Sequence, residues 1–267
     1  MAQLNNFYDN PNIKMIEQDK YQMFQIIEHQ ADLSLSPSEA AAAYFSMQMN
    51  VKRRQGLINL NGQNSAILSR GAMQWILGNV QVQNNVKGAG DFFGKVVASK
   101  VTGESAIKPL YSGVGIISLE PTFKHLLLED IANWQGGIVM DDGLFLACDG
   151  RLQQKVYKKS FSGALSESFS GKNGTGGLIN NMFNLSLMGQ AGTILLESPV
   201  SRNEIIEVYL NNETLTVDGD LVIAWSPSIN MTCQPLMKRS LLGSGVSGEG
   251  FVNIFTGTGK ILLAPTI

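Results

Sequence analysis

Apolar and polar residues alternate in short runs along most of the chain, and glycine, asparagine, aspartate and proline separate these runs. Val80–Gln83 has the two-residue period of a half-buried strand, and Leu57–Leu60 and Ala66–Leu68 are short apolar runs that alternate with glycines. Runs of this kind between turn-forming residues predict β-strands joined by hairpins. The pattern therefore predicts a mainly β protein.

One segment departs from this pattern and predicts a helix. Ser36, Pro37 and Glu39 have the spacing of a capping box with proline at the first helical position. The alanine-rich run that follows favours helix. We predict one short N-terminal helix from about Pro37 to Met49. Because so short a helix is marginal alone, we expect its apolar side to pack against the β core.

An internal repeat organises the centre of the chain. The matched pairs, all 77 residues apart, are Gly115 and Gly192, Ile117 and Ile194, Leu119 and Leu196, Glu120 and Glu197, Asp141 and Asp218, Leu144 and Leu221, and Ala147 and Ala224. A third, partial echo is Gly257–Pro265, which is similar to Gly113–Pro121. Repetition at a fixed offset predicts duplicated β units. The recurring glycines fit positions of positive φ or of close strand approach.

The repeat and the helix divide the chain into consecutive parts. The predicted parts are an N-terminal extension at residues 1–55, with its helix at about 37–49, and three β units at residues 56–110, 111–187 and 188–267. We expect them to pack as one compact chain. Within the second unit, Ser160–Gly177 is rich in glycine and serine and predicts a mobile surface loop.

Composition and charge limit the functional classes. The chain is 44% hydrophobic and 16% charged, which is typical of a folded globular protein. Its formal charge of −2 argues against general attraction to nucleic acid or to anionic membranes. No apolar run is long enough for a membrane span, and the N-terminus lacks the pattern of a secretory signal. We expect a cytoplasmic protein in which Cys148 and Cys233 are free, buried thiols.

Few residues suggest metal binding or catalysis. His29 and His125 lack the HxH, HExxH and Cys-His spacings of zinc or cupin-type sites. We interpret His125, just after the turn at Pro121, as a surface or packing residue rather than a catalytic one. A Ser-His-Asp site needs no adjacency in sequence, but no G-x-S-x-G motif supports one. A hydrolase that uses His125 with a carboxylate is therefore the least favoured hypothesis.

Two acidic pairs and one glycine motif have structural interpretations that outweigh the chemical ones. Asp141–Asp142 and Asp218–Asp220 can serve acid–base chemistry or calcium binding, but each pair lies at a predicted hairpin turn, where Asp-Gly is favoured. Gly243–Gly248 matches G-x-G-x-x-G, but strand-like Phe251–Phe255 follows where a dinucleotide site needs a helix. We predict turns in all these places.

A basic cluster and a Met/Trp segment complete the candidates. Lys52, Arg53 and Arg54 can contact phosphate or an acidic partner, but three charges give only a weak attraction, so a solvated face is favoured. Met73 and Trp75 are predicted to be core residues rather than a recognition surface. The sequence thus predicts no catalytic, cofactor-binding or metal-binding residue and no cofactor.

Several of these motifs together resemble those of one family. Gly71–Trp75, Gly136–Ala147, Ser247–Gly250 and Gly257–Pro265 are similar to the altered-inheritance-of-mitochondria twenty-four family over about residues 56–267. The resemblance implies duplicated β-sandwich units similar to the tryptophan RNA-binding attenuation protein, often in a closed homo-oligomer, and no established activity. Eukaryotic members are mitochondrial, whereas the absence of a transit peptide here favours a bacterial cytoplasmic member.

Two hypotheses of function follow, from different classes. The first is a non-enzymatic, oligomeric β scaffold that mediates interaction with an unknown protein partner. A homo-trimer is favoured, because closure protects the edges of sheets built from many short strands. The alternative is a module that binds a small molecule or RNA, which rests on analogy of fold alone.

Overall fold

The protein is mainly β, as predicted. The structure is a computed structural model that describes residues 4–83, 108–161, 183–235 and 251–266. In chain order, its strands are β1 (Ile13–Gln18), β2 (Phe24–His29), β3 (Arg54–Leu68), β4 (Met73–Gln83), β5 (Leu110–Leu119), β6 (His125–Asp130), β7 (Gly137–Met140), β8 (Phe145–Asp149), β9 (Gln153–Lys158), β10 (Ser160–Phe161), β11 (Phe183–Met188), β12 (Thr193–Ser198), β13 (Ile206–Asp218), β14 (Val222–Trp225), β15 (Asn230–Pro235) and β16 (Phe251–Leu263). Short 3-10 helices lie at Ile131–Trp134, Asp142–Leu144 and Arg202–Glu204. No helix within the described ranges is long and apolar enough to cross a membrane.

The first sheet is built around β3. Its strand order is β1-β2-β3-β8-β12-β6, and β5 and then β4 extend it on the other side of β3. The two runs Leu57–Leu60 and Ala66–Leu68 are parts of this single strand. Gly62 lies between them with a φ of +87°, where the pairing with β5 is interrupted between Asn61 and Ser65. Glycine at this position allows one strand to bend and contact β2 with one half and β8 with the other.

The second sheet is built in a similar way around β16. Its order is β10-β15-β16-β14-β7-β11-β9, and β13 lies on the other side of β16. The two short strands β15 and β14 pair with successive parts of β16. Pairing is antiparallel throughout the described part of this sheet except between β10 and β15.

Three groups of buried side chains form the core. One group lies between the sheets, because it takes Leu127 and Ile194 from the first sheet and Ile138 and Ala224 from the second. A second group belongs to the first sheet and includes Phe24 and Ile117. A third belongs to the second sheet. Two curled sheets thus pack face to face and also bury residues on their other faces.

The predicted helix forms, but its predicted packing is wrong. Helix α1 spans Pro37–Gln48, and the carboxylate of Glu39 accepts a hydrogen bond from the backbone N–H of Ser36 at 3.1 Å. None of its residues is buried, and Tyr44 and Phe45 are 60% and 67% exposed. The apolar residues follow one another in sequence instead of recurring every three or four positions. They therefore form no single stripe that the core can cover.

The internal repeat is distributed over both sheets. Ile117 and Ile194 both lie in the first sheet, on β5 and β12, whereas Ala147 and Ala224 lie in different sheets, on β8 and β14. The third echo places Gly113 and Gly257 on β5 and β16 with φ values of +119° and +139°. The prediction that these glycines occupy positive-φ positions is confirmed. The duplication and the unit boundaries at residues 56, 111 and 188 stay predictions.

Two further predictions concern residues that lie mostly outside the described ranges. Ser160 and Phe161 form β10, and the rest of the Ser160–Gly177 loop lies outside the described residues. Gly243–Gly248 also lies outside them. Neither the mobile loop nor the glycine-rich turn is therefore tested.

Candidate functional site

β4 is an outer strand of the first sheet, and it carries no charge. Its 11 residues pair with β5, and in the part of the chain that the structure describes no strand pairs with its other side. The sequence from Gly71 to Val86 contains no lysine, arginine, aspartate or glutamate. Outer strands expose unpaired backbone N–H and C=O groups, which are a template for pairing with another strand.

The other long outer strands carry charged residues. These residues are Lys14 and Glu17 on β1, Glu129 and Asp130 on β6, Lys155 on β9, and Glu207, Glu213 and Asp218 on β13. Charges on an outer strand oppose pairing with another chain, because a new neighbouring strand would have to desolvate them. Among the outer strands of the described ranges, β4 is therefore the one best suited to pair with another molecule.

The side chains of β4 are divided between the core and the surface. Ile76 and Val80 pack against the core of the first sheet, and the ring of Trp75 contacts that of Phe7 at 6.0 Å between centroids. Val82 is 50% exposed. The prediction that Met73 and Trp75 are core residues is wrong, because Met73 is exposed and Trp75 is only half-buried. Both lie on a strand that pairs, among the residues that the structure describes, with β5 alone.

Sequence reasoning missed this strand as a functional surface, although a signal was present. The predicted strand Val80–Gln83 is the second half of β4, which begins at Met73 and continues through Gly78. A stretch without charge in a chain with 16% charged residues was the available indication. An uncharged stretch can belong to a central strand or to an outer one, and only the pairing partners of the strand show which.

A cavity of about 440 Å³ is the second feature of interest. It lies between α1, the segment that joins β2 to α1, and the basic cluster. Its apolar lining includes Leu33, Leu35, Met47, Val51 and Phe123. Polar residues outnumber the apolar ones in the rest of the lining. A cavity of this size that combines apolar and polar groups can hold a small molecule.

A chain of polar side chains forms one wall of this cavity. The Nε2 atom of His29 lies 3.2 Å from Oε1 of Gln55. The Nε2 atom of Gln55 lies 2.6 Å from Oε1 of Gln74 and 2.8 Å from Oγ of Ser118. Gln55 is buried, so these partners satisfy an amide that water does not reach. They also fix the position of the His29 ring against the cavity.

The basic cluster is neutralised mainly by its own neighbours. Glu28 accepts a hydrogen bond from Lys52 at 3.0 Å and forms a salt bridge with Arg54 at 3.1 Å. Arg54 is buried, so the prediction of a solvated face is wrong for this residue. Arg53 differs, because its side chain is 45% exposed, pairs with Asp32 at 2.8 Å and stacks on the ring of Phe123 at 5.2 Å.

His125 lies at the start of β6 and is half-buried. Burial and then the positive charge of Arg54 lower the pKa of His125 below its ordinary value. Among the described residues no carboxylate forms a hydrogen bond or salt bridge with it, and it does not line the cavity. Glu204 and Glu28 act on the pKa of His125 only through their charge and partly oppose its decrease.

The acidic residues of the repeat lie in short connections between strands, but the prediction of hairpin turns is wrong. β7 and β8 lie in different sheets, and β13 and β14 pair with β16 rather than with each other. The carboxylate of Asp141 accepts a hydrogen bond from the backbone N–H of Gly143 at 2.8 Å and caps the following 3-10 helix. Asp142 pairs with Lys108 at 2.8 Å. Asp218 ends β13, and Gly219 follows it with a φ of +70°. No group of three or more potential metal ligands occurs in the described ranges.

Both cysteines are free thiols. Cys148 is buried, as expected, and burial raises the pKa of its thiol. Cys233 is only half-buried, which corrects the expectation for that residue, and burial raises its pKa as well. Neither thiol lies in the electropositive, accessible setting that makes a cysteine nucleophilic.

The chain is similar to known proteins along most of its length. The sequence model of a family described as mitochondrial biogenesis AIM24 matches residues 46–266. An uncharacterised protein of Streptococcus pyogenes serotype M6 is 30% identical over 213 residues, which are 77% of this chain and 79% of the relative. A crystal structure of a Streptococcus pyogenes protein superimposes with a TM-score of 0.52 at 25% identity and covers 80% of this chain and 88% of that one.

Proposed function

The chain belongs to the mitochondrial biogenesis AIM24 family, and from that membership we propose that it is a non-enzymatic, oligomeric β scaffold that acts through protein–protein interaction. The observation that carries the proposal is the uncharged outer strand β4. Within the described ranges, one edge of these 11 residues has no strand beside it, and Met73 and Val82 add exposed apolar surface there. A strand that docks there gains main-chain hydrogen bonds and apolar contacts together.

A second copy of the same chain is the partner that this edge suits best. Most soluble oligomers are closed assemblies of identical chains, and closure covers the same edge in every copy. Each net hydrogen bond contributes about 1 kcal/mol, so several bonds along the strand give a substantial attraction. A trimer is our preferred oligomer. The proposal includes a cytoplasmic location, which the free thiols of Cys148 and Cys233 support.

Light scattering coupled to size-exclusion chromatography tests the proposal. The β4 variant carries Asn79→Lys and Gln81→Lys, because lysines on an outer strand oppose pairing. The matched control carries Thr214→Lys and Thr216→Lys on β13, an outer strand that is already charged. We expect an oligomer for the wild type and the control, and a shift toward the 29.0 kDa monomer for the β4 variant. A monomeric wild type, or a β4 variant that stays fully oligomeric, overturns the proposal.

A small-molecule binding module remains the second candidate, because the cavity beneath α1 has the size and lining of a ligand site. RNA binding has less support, since Lys52 and Arg54 are both engaged by Glu28. A filter-binding assay at low salt separates these branches. If the wild type binds RNA and the substitutions Lys52→Ala and Arg53→Ala abolish that binding, the RNA-binding hypothesis is favoured.

A further inference from the structure

The cavity beneath α1 has an apolar wall that comes from the helix and its two connections. Ala43 and Met47 of α1 line it from one side, and Leu33 and Leu35 of the preceding segment line it as well. Because no residue of α1 is buried in the core, the inner side of the helix faces this cavity instead. An apolar chain placed here would remove these side chains from water, which is favourable in proportion to the area covered.

The lining also contains Arg53, a cation with donors to spare. Arg53 has five N–H donors in a planar arrangement, and one salt bridge to Asp32 uses only part of them. The ring of Phe123 lies against the guanidinium and holds its plane in position. Because 45% of its side chain is exposed, Arg53 can donate to a further anion without breaking its present contacts.

The charge of the site is close to one positive unit. The cluster contains three cations, Lys52, Arg53 and Arg54, and two carboxylates, Glu28 and Asp32. Lys52 also donates to the amide oxygen of Gln30, so its donors are largely used within the protein. A monoanion therefore matches the site better than a dianion does, and a planar guanidinium suits the geometry of a carboxylate.

We propose that this cavity binds an amphipathic monocarboxylate, with its apolar chain against Met47 and the leucines and its carboxylate on Arg53. The class follows from a lining that combines apolar side chains with Arg53, whose one salt bridge leaves part of its donors free. The site touches the start of β4 only through Gln74, and the proposed ligand contacts are made by other residues.

Isothermal titration calorimetry with octanoate on the full chain tests the proposal. We expect saturable binding of octanoate with a dissociation constant below about 5 mM. 1-Octanol, which lacks the charge, and butanoate, which lacks most of the apolar chain, should each bind about tenfold or more weakly. Arg53→Gln should weaken octanoate binding about tenfold or more, whereas Arg70→Gln, which removes an exposed cation outside the lining, should leave it unchanged.

Two further variants separate binding from folding. Ala43→Phe should fill the cavity from the helix side and abolish octanoate binding without touching Arg53. Asp32→Asn should strengthen binding, because it removes the carboxylate that competes for Arg53, and a purely structural role of this pair predicts no such gain. Absence of saturable octanoate binding to the wild type, or unchanged binding in a folded Arg53→Gln variant, overturns the proposal.

Discussion

Gly78 of β4 lies directly opposite Gly115 of β5. A Cβ atom on Gly115 would lie 2.3 Å from the carbonyl oxygen of Leu77, and one on Gly78 would lie 2.5 Å from the carbonyl oxygen of Val114. These are backbone atoms, so no side-chain rearrangement relieves the contact. The facing glycines thus allow close approach of the two strands and keep the outer strand β4 in register.

Replacement of Gly115 by alanine should therefore destabilise the protein. We expect Gly115→Ala to lower the free energy of unfolding by about 3 kcal/mol. This value lies in the upper part of the usual range for overpacking, because the new methyl group meets backbone atoms. Gly71→Ala is the control, since Gly71 has a φ of +80° but open space around it. Backbone strain alone should cost about 1 kcal/mol there. Chemical denaturation measures both, and equal losses would contradict the close-approach explanation.

The buried pair of Glu28 and Arg54 should be far more sensitive than the neighbouring exposed pair. Glu28→Gln leaves the buried guanidinium of Arg54 without its carboxylate, so we expect a loss of about 3 kcal/mol in the free energy of unfolding. Asp32→Asn removes the partner of the half-exposed Arg53 and should cost less than about 1 kcal/mol. Urea denaturation at neutral pH measures the difference, and a similar loss in both variants would show that Arg54 is not effectively buried.

Acid should destabilise the protein partly through Glu207. A hydrogen bond from Lys260 is the main cause that lowers the pKa of Glu207, and the hydroxyl of Tyr209 donates a further one at 2.8 Å. Because the folded pKa lies below the ordinary value of 4.5, this group stabilises the fold above that pH and the contribution disappears as the pH falls through the folded pKa.

Glu207→Gln should accordingly lose less stability than the wild type when the pH falls from about 6 to about 3. The free energy of unfolding, measured by denaturation at a series of pH values, tests this expectation. Glu213→Gln is a suitable control, since Glu213 is an exposed glutamate of the same strand with no salt bridge within the described ranges. Parallel curves for the wild type and Glu207→Gln would contradict the assigned role of Lys260.

The two cysteines should differ in reactivity. Burial raises the pKa of both thiols, but Cys148 is fully enclosed and Cys233 only partly so. Because the thiolate is the reactive form and needs access, iodoacetamide should label Cys233 slowly and leave Cys148 unlabelled until the protein unfolds. Mass spectrometry of peptides from native and denatured samples measures this order. Labelling of both cysteines at the same rate in the native protein would show that the core around Cys148 opens.

Local features of the structure could be predicted well, and helix α1 shows why. Its first residue follows from Ser36, Pro37 and Glu39, since a capping box acts within one turn of helix. Its exposure could not be predicted, because whether a helix is covered depends on what lies beside it. The same distinction separates Asp141, whose turn depends on Gly143 two residues away, from Arg54, whose burial depends on Glu28 in another strand.

The amino-acid sequence by itself determined the mainly β class, the capped helix, the turns and the positive-φ glycines, because each depends on the backbone preferences of a few consecutive residues. The tertiary structure alone decided that β3 is one bent strand, that β4 is an outer strand and that a cavity lies beneath α1. These features result from pairing between strands far apart in the chain, such as β6 with β12 and β13 with β16. An uncharged run becomes an exposed edge only when no neighbouring strand covers it.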